Sequence, residues 1–165
     1  MKRFVLTLAL LSSSACNLDI DPPPAVWEFQ ADEAAGEGPA LFLTAEDIDN
    51  ESINLVLHSK GTGPLYGVAF RLSYPDEAFS FDFFETSAPW TTAPIIRAVE
   101  ARPGLLIAVV SQQGLSEGLA EGEIARIRLT ATGSGQHPLS LSRTTVMDPD
   151  GRSLAVAVRG GTVVR

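Results

Sequence analysis

The chain has 165 residues and a formal net charge of −8 at pH 7, with 45% hydrophobic and 19% charged residues. This length and composition predict one globular domain and exclude an intrinsically disordered chain. Removal of the two cations Lys2 and Arg3 with a leader peptide takes the charge from −8 to −10. The chain therefore lacks the basic surface that nucleic acid binding requires.

The N-terminus predicts a secretory signal. Two cations precede an apolar run from Phe4 to Leu11, and small residues continue up to Cys16. The apolar run is too short for a transmembrane helix, which needs about 20 residues. We therefore assign residues 1–15 to a signal peptide.

Cys16 is the single cysteine and stands at the predicted cleavage point. The sequence Ser13-Ser14-Ala15-Cys16 resembles the lipobox of bacterial lipoproteins. The resemblance implies that Cys16 is lipidated and becomes the first mature residue, and Asn17 after it implies the cell envelope, at the outer membrane or cell surface. The alternative is cleavage near Ala15, which leaves Cys16 as a free thiol. With one cysteine, no intrachain disulfide can form.

Residues 16–38 predict a lipidated N-terminus followed by a disordered acidic tether. Three prolines after Asp21 stiffen the tether, and the sequence Gly36-Glu37-Gly38 loosens it. Residues 26–29 are apolar for a linker, so we expect them to dock on the folded domain. A free segment that recruits another molecule is the alternative.

Residues 39–165 predict an all-β domain, because short strand patterns recur at regular intervals. Two strand candidates, at 40–44 and 52–58, come first. The stretch from Leu65 to Phe84 then predicts a β-hairpin at the heart of the core, with a turn at residues 74–77. Alternation places one set of side chains on the inner face: Tyr66, Val68, Phe70, Leu72, Tyr74, Phe79, Phe81 and Phe83.

The remaining strand candidates recur at similar intervals along the chain. Residues 104–111 form a continuous apolar run, GLLIAVVS, which predicts a central strand buried on both faces. The other candidates are residues 95–99, 123–131, 139–147, 154–158 and 162–164.

Three stretches together resemble a cohesin domain. They are residues 66–76 (YGVAFRLSYPD), residues 122–132 (GEIARIRLTAT), and the turn 148–151 (DPDG) with the alternating strand that follows it. The resemblance covers residues 39–165. It implies a nine-stranded jelly-roll β-sandwich of the superfamily that includes bacterial cellulose-binding modules.

The same resemblance implies a non-catalytic, extracytoplasmic binding module that presents a surface for dockerin-like protein partners. The alternative is a carbohydrate-binding module that adheres to polysaccharide. The chain then meets a membrane only through its N-terminal lipid. Neither His58 nor His137 is accompanied by a nucleophile motif, and a small sandwich with short loops offers little cleft for a pair of catalytic carboxylates.

Two kinds of side chain are candidates for ligand contact. Trp90 and Trp27 are candidate stacking platforms for a sugar, and packing in the core or a loop is the alternative. Asp47, Asp49 and Glu51 are the candidate oxygen ligands of a Ca²⁺ ion, and a solvated acidic loop is the alternative. We expect no other cofactor.

Overall fold

A computed structural model of the protein describes residues 26–32, 38–90, 95–114 and 117–165. In these ranges the regular structure consists of strands and one 3₁₀ turn, Ala88–Trp90, without an α-helix. The strands are β1 (Glu28–Ala31), β2 (Ala40–Ile48), β3 (Ser52–Lys60), β4 (Gly67–Ser73), β5 (Phe79–Thr86), β6 (Ile95–Arg102), β7 (Leu105–Ser111), β8 (Glu123–Ala131), β9 (Gln136–Met147), β10 (Ala157–Arg159) and β11 (Gly161–Val164).

The strands form two sheets that pack face to face. The six-stranded sheet has the order β1-β11-β9-β4-β7-β6, and the five-stranded sheet has the order β10-β2-β3-β8-β5. All pairs are antiparallel except β10 with β2. The predicted all-β sandwich is confirmed, but it has eleven strands rather than nine. The number nine came from the family resemblance, and β1 adds a strand in the segment that was predicted to be linker.

β1 lies in the segment that the sequence predicts to be linker. It pairs with β11 from Glu28 opposite Val164 to Ala31 opposite Gly161. Trp27, just before it, is only 2% exposed. The apolar segment therefore packs on the domain, and the sandwich extends to the N-terminal side of Pro39. The predicted signal peptide and Cys16 lie outside the described residues.

The predicted hairpin of residues 65–84 is wrong. β4 lies in the six-stranded sheet between β7 and β9, whereas β5 lies in the five-stranded sheet beside β8. The turn between them is real, but it carries the chain from one sheet to the other. In this turn the carbonyl of Pro75 accepts hydrogen bonds from the amides of Ala78 and Phe79 at 3.2 and 3.0 Å, which redirects the chain.

The predicted facing of β4 is correct, because Val68, Phe70 and Leu72 are all buried in the core. In β5 the prediction fails at Phe83. A bulge between Phe81 and Phe83 shifts the alternation by one residue. The ring of Phe83 is consequently 36% exposed.

The core lies between the sheets and is almost entirely aliphatic and aromatic. Burying each large side chain contributes roughly 1.5–3 kcal/mol. Its largest fully buried members are Trp90, Phe70, Phe79, Leu41, Leu43, Ile53, Leu55, Leu57, Leu65, Leu72, Leu106 and Ile124. Within the described ranges no helix is long and apolar enough to cross a membrane.

The chain passes between β10 and β11 through a close crossing at Gly160. A Cβ atom at this position would lie 2.0 Å from the carbonyl oxygen of Leu139. That separation is far below van der Waals contact, and the obstacle is backbone. Only glycine fits this position without moving β9.

β7 differs from its prediction in a way that matters for function. It lies second from the edge of its sheet, not at the centre. Leu106, Ala108 and Val110 are buried as predicted, but Ile107 between them is 38% exposed. The apolar run therefore covers both sides of a strand that has only one buried face.

Candidate functional site

Four neighbouring strands, β6, β7, β4 and β9, turn one face away from the core. Because side chains alternate along a strand, the residues between the buried positions point outward. We call this side the outer face. Its residues are Ile95, Arg97 and Val99 on β6, Leu105, Ile107, Val109 and Ser111 on β7, Gly67, Ala69, Arg71 and Ser73 on β4, and Ser140, Ser142, Thr145 and Met147 on β9.

Strand register arranges the outer face in rows across the sheet. Val99 lies opposite Ile107, which lies opposite Arg71. In the next row Arg97 lies opposite Val109, which lies opposite Ala69. Residues directly opposite each other on antiparallel strands have Cβ atoms about 4.5–5.5 Å apart. The apolar side chains of β6 and β7 therefore form one continuous patch, and arginines lie next to it.

This patch is open to solvent. The side chains of Val99, Ile95 and Ile107 are 58%, 43% and 38% exposed. Ile96, on the other side of the edge strand, is 40% exposed. Most of the exposed large hydrophobic residues of the described ranges thus lie on β6 and β7. A contiguous exposed apolar patch of this kind usually marks a site that binds another molecule.

The charge of the outer face is opposite to that of the whole chain. Arg71 and Arg97 belong to the face, Arg102 lies opposite Leu105, and Arg143 lies in a bulge of β9. Among the described residues, none of these four guanidinium groups makes a hydrogen bond or an ion pair. The outer face contains no Asp or Glu, although the net charge of the chain is −8.

The backbone of β9 is distorted where Arg143 stands. The register of β9 against β4 shifts between the partners of Ala69 and Arg71. Arg143 has a φ of 45° and is the only residue other than glycine with a positive φ in the described ranges. The bulge ends the regular ladder at this point and holds the exposed Arg143 at the border of the outer face.

Two arginines of β8 in the five-stranded sheet, Arg126 and Arg128, are paired instead. Arg126 contacts Glu46 at 3.2 Å and Glu123 at 2.9 Å, and Arg128 lies 3.6 Å from Asp82. The hydrogen bond that Arg126 Nε donates to Glu46 raises the pKa of Arg126. Arg126 and Arg128 are therefore neutralised within the molecule, whereas the arginines of the outer face are available to a partner.

The two tryptophans are buried. Trp27 and Trp90 are 2% and 0% exposed. The Trp27 ring packs 5.5 Å from the ring of Phe79 and 5.8 Å from that of His137, measured between centroids. Neither indole presents a face to a ligand, so the structure gives both a packing role.

The acidic loop after β2 is organised as a turn. The carboxylate of Asp49 accepts hydrogen bonds from the amides of Glu51 and Ser52 at 2.7 and 2.5 Å, which lowers the pKa of Asp49. Its second oxygen accepts from the hydroxyl of Ser52 at 3.1 Å. Asp47 and Glu51 are exposed. Within the residues that the structure describes, no three His, Cys, Asp or Glu side chains lie close enough together to hold a metal ion.

The two histidines have different partners. His58 Nε2 lies 2.9 Å from the hydroxyl of Thr44, and burial lowers the pKa of the imidazole. His137 Nε2 lies 3.1 Å from the carbonyl oxygen of Ser134. These contacts hold the rings in place.

Neither a family model nor a curated protein sequence matches this chain, but solved structures do. The sixth cohesin of scaffoldin B from Acetivibrio cellulolyticus, solved in complex with a Cel5 dockerin, has a TM-score of 0.67 and 16% identity over 76% of this chain and 96% of that chain. The cohesin module of a family 33 glycoside hydrolase from Clostridium perfringens has a TM-score of 0.62 and 17% identity over 78% and 96%.

A non-cellulosomal cohesin from the archaeon Archaeoglobus fulgidus is also similar, with a TM-score of 0.57 and 16% identity over 83% of this chain and 89% of that chain. The predicted cohesin fold is therefore confirmed. At these identities the likeness establishes the architecture, and the contact residues must be found on this chain's own surface.

Sequence reasoning missed the outer face. The sequence predicts that residues 104–111 are buried on both faces and that the preceding strand ends at Val99, so it predicts no exposed face there. One signal was present: Arg71 and Arg97 lie in predicted strands, in a chain whose acids outnumber its bases by 20 to 12. Arginines in these strands that have no acidic partner indicate a surface that binds another molecule.

Proposed function

We propose that this chain is a non-catalytic binding module that engages a dockerin-type protein partner through the outer face of the six-stranded sheet. The observation that carries the proposal is the exposed apolar patch of Val99, Ile107 and Ile95 next to unpaired arginines. A patch of this composition resembles a protein interface, which has an apolar centre and a polar rim and is enriched in Arg relative to the rest of the surface.

The charges define the partner further. Arginines without internal partners favour a ligand with carboxylates arranged around an apolar contact, because charge complementarity increases the rate of association and selects the partner. The solved structure of the Acetivibrio module holds a dockerin, which supports a protein partner for a surface on the same fold.

The position of the N-terminus is compatible with this role. β1 lies at one edge of the six-stranded sheet and β6 at the other. The first described strand therefore joins the sheet at the edge far from β6 and β7. In the proposed arrangement Cys16 carries a lipid in the cell envelope, at the outer membrane or cell surface, and the tether holds the domain outside the membrane.

The binding proposal is tested by calorimetric titration with a panel of purified dockerin modules. Ile107→Asp and Arg71→Glu should each weaken binding at least tenfold, because one places a charge in the apolar centre and the other reverses a rim charge. The matched control is Phe83→Asp, since Phe83 is 36% exposed but lies on the five-stranded sheet. Equal losses in all three variants would contradict the assignment of the face.

A glycan array distinguishes the protein-binding proposal from the carbohydrate-binding alternative. If the protein binds no dockerin but binds a polysaccharide tightly, the carbohydrate-binding alternative replaces the protein-binding one. The lipid anchor has its own test, because Cys16→Ser should release the protein from membranes during fractionation. Continued sedimentation of the variant with membranes would contradict lipidation.

A further inference from the structure

A pocket of about 250 Å³ lies at the edge of the five-stranded sheet. Here β10, β2 and β3 run side by side, with Arg159 opposite Phe42 and Phe42 opposite His58. Asp32, which follows β1, also lines the pocket. The volume is below the range of about 300–1,000 Å³ that holds drug-sized ligands, so the pocket suits one small ring.

One wall of the pocket is an aromatic ring held in a fixed position. The rings of Phe42 and His58 stack with centroids 5.3 Å apart and an angle of 16° between their planes. His58 is fixed in turn by its contact with Thr44. A locked aromatic ring in a pocket is a surface against which a ligand ring can pack at little entropic cost.

Two cationic side chains line the same pocket. Lys60 and Arg159 make no ion pair with another described residue, and Arg159 Nε is buried without a hydrogen-bond partner in the described ranges. A buried N–H donor without an acceptor is unfavourable. An anion in the pocket would accept a hydrogen bond from this group and would be attracted by both charges.

Asp32 restricts which anion fits. Its Oδ2 accepts a hydrogen bond from the amide of Gly160 at 2.9 Å, and its own amide donates to the carbonyl of Gly160 at 3.2 Å. The carboxylate is therefore held at the pocket. It would repel a bare anion such as phosphate, but it would accept a hydrogen bond from a hydroxyl group.

We propose that this pocket binds a hydroxylated ring that carries one carboxylate, as in a uronic acid. The ring lies against Phe42, the carboxylate reaches Lys60 and Arg159, and a hydroxyl donates to Asp32. Each lining group then has a partner of matching chemistry. The site belongs to the opposite sheet from the outer face, so it would work whether or not a protein is bound there.

The test is a titration of the isotope-labelled protein followed by amide chemical shifts, with sodium galacturonate, galactose and inorganic phosphate as probes. Galacturonate should bind with shifts centred on Phe42 and Lys60, and galactose should bind at least tenfold more weakly. Lys60→Gln should weaken the affinity for galacturonate at least tenfold, because it removes one of the two positive charges that bind the carboxylate. Lys60 is exposed, so its replacement leaves the fold intact. Phe42→Leu should weaken the affinity for both galacturonate and galactose.

Arg152→Gln is the matched control, since this arginine has a side chain 75% exposed and pairs with Asp150 away from the pocket. Its affinity for galacturonate should equal that of the wild type. The proposal is overturned if galactose binds as well as galacturonate, if phosphate alone produces the same shifts, or if Lys60→Gln and Arg152→Gln behave alike. Absence of galacturonate binding overturns it as well.

Discussion

Replacing Phe70 with alanine tests the assignment of faces on which the site depends. Phe70 is 1% exposed, and its ring centroid lies 6.5 Å from that of Phe84 in the opposite sheet. Truncation removes about 100 Å³ of side chain, and an unrelaxed cavity costs about 24 cal/mol per Å³, or about 2.4 kcal/mol. The lost burial of the ring adds about 2 kcal/mol. We expect a total loss of about 3–5 kcal/mol, a large part of the stability of a domain this size.

The matched control is Arg71→Ala, one residue further along the same strand and on the outer face. Surface substitutions of this kind usually change stability by well under about 1 kcal/mol. Urea unfolding measures both variants, and at about 2 kcal/mol per molar the Phe70 variant should lose about 2 M in its midpoint. A loss at Arg71 equal to that at Phe70 would refute the register of β4 and, with it, the location of the outer face.

Two further predictions concern backbone packing and pH. Gly160→Ala should prevent or severely weaken folding, because the added Cβ would lie 2.0 Å from Leu139 O. Gly151→Ala adds a Cβ with nothing within 4 Å, so thermal unfolding should show only the strain of its φ of 78°, about 1–2 kcal/mol. Burial, with a hydrogen bond to Glu100, raises the pKa of Tyr74 above its ordinary 10.0. The tyrosine therefore stabilises the fold fully below about pH 10 and less as the pH rises further. Tyr74→Phe should flatten the alkaline loss of stability, and parallel urea midpoints for the two proteins would contradict this.

Much of the strand content followed from the sequence because alternation is a local property. Val68, Phe70 and Leu72 have the inward facing that the pattern predicts. Local alternation does not say which strand lies beside which, so the partner of β4 was wrong. The turn at Pro75 looks the same whether it joins two strands of one sheet or two sheets.

The site was harder to predict because exposure depends on what lies next to a strand. Ile107 and the buried Leu106 belong to the same apolar run, but they point to opposite faces of the sheet, and only the inner face packs against the second sheet. Phe83 shows the opposite failure, since one extra residue in a bulge reversed a correct pattern. The pocket at Phe42 unites residues of four strands and their connections, which no single stretch of sequence could reveal.

The order of strands has a consequence for how fast the chain reaches this structure. Among the described strands, only β2 with β3 and β6 with β7 are neighbours both along the chain and within a sheet. Every other pair joins strands that are distant in sequence, and β1 pairs with β11, near the other end of the chain. Sandwiches dominated by such distant pairings fold in about milliseconds to seconds rather than microseconds. Until β4 pairs with it, the Leu105–Ser111 strand has only β6 beside it, and its other apolar edge stays open to pairing with other chains.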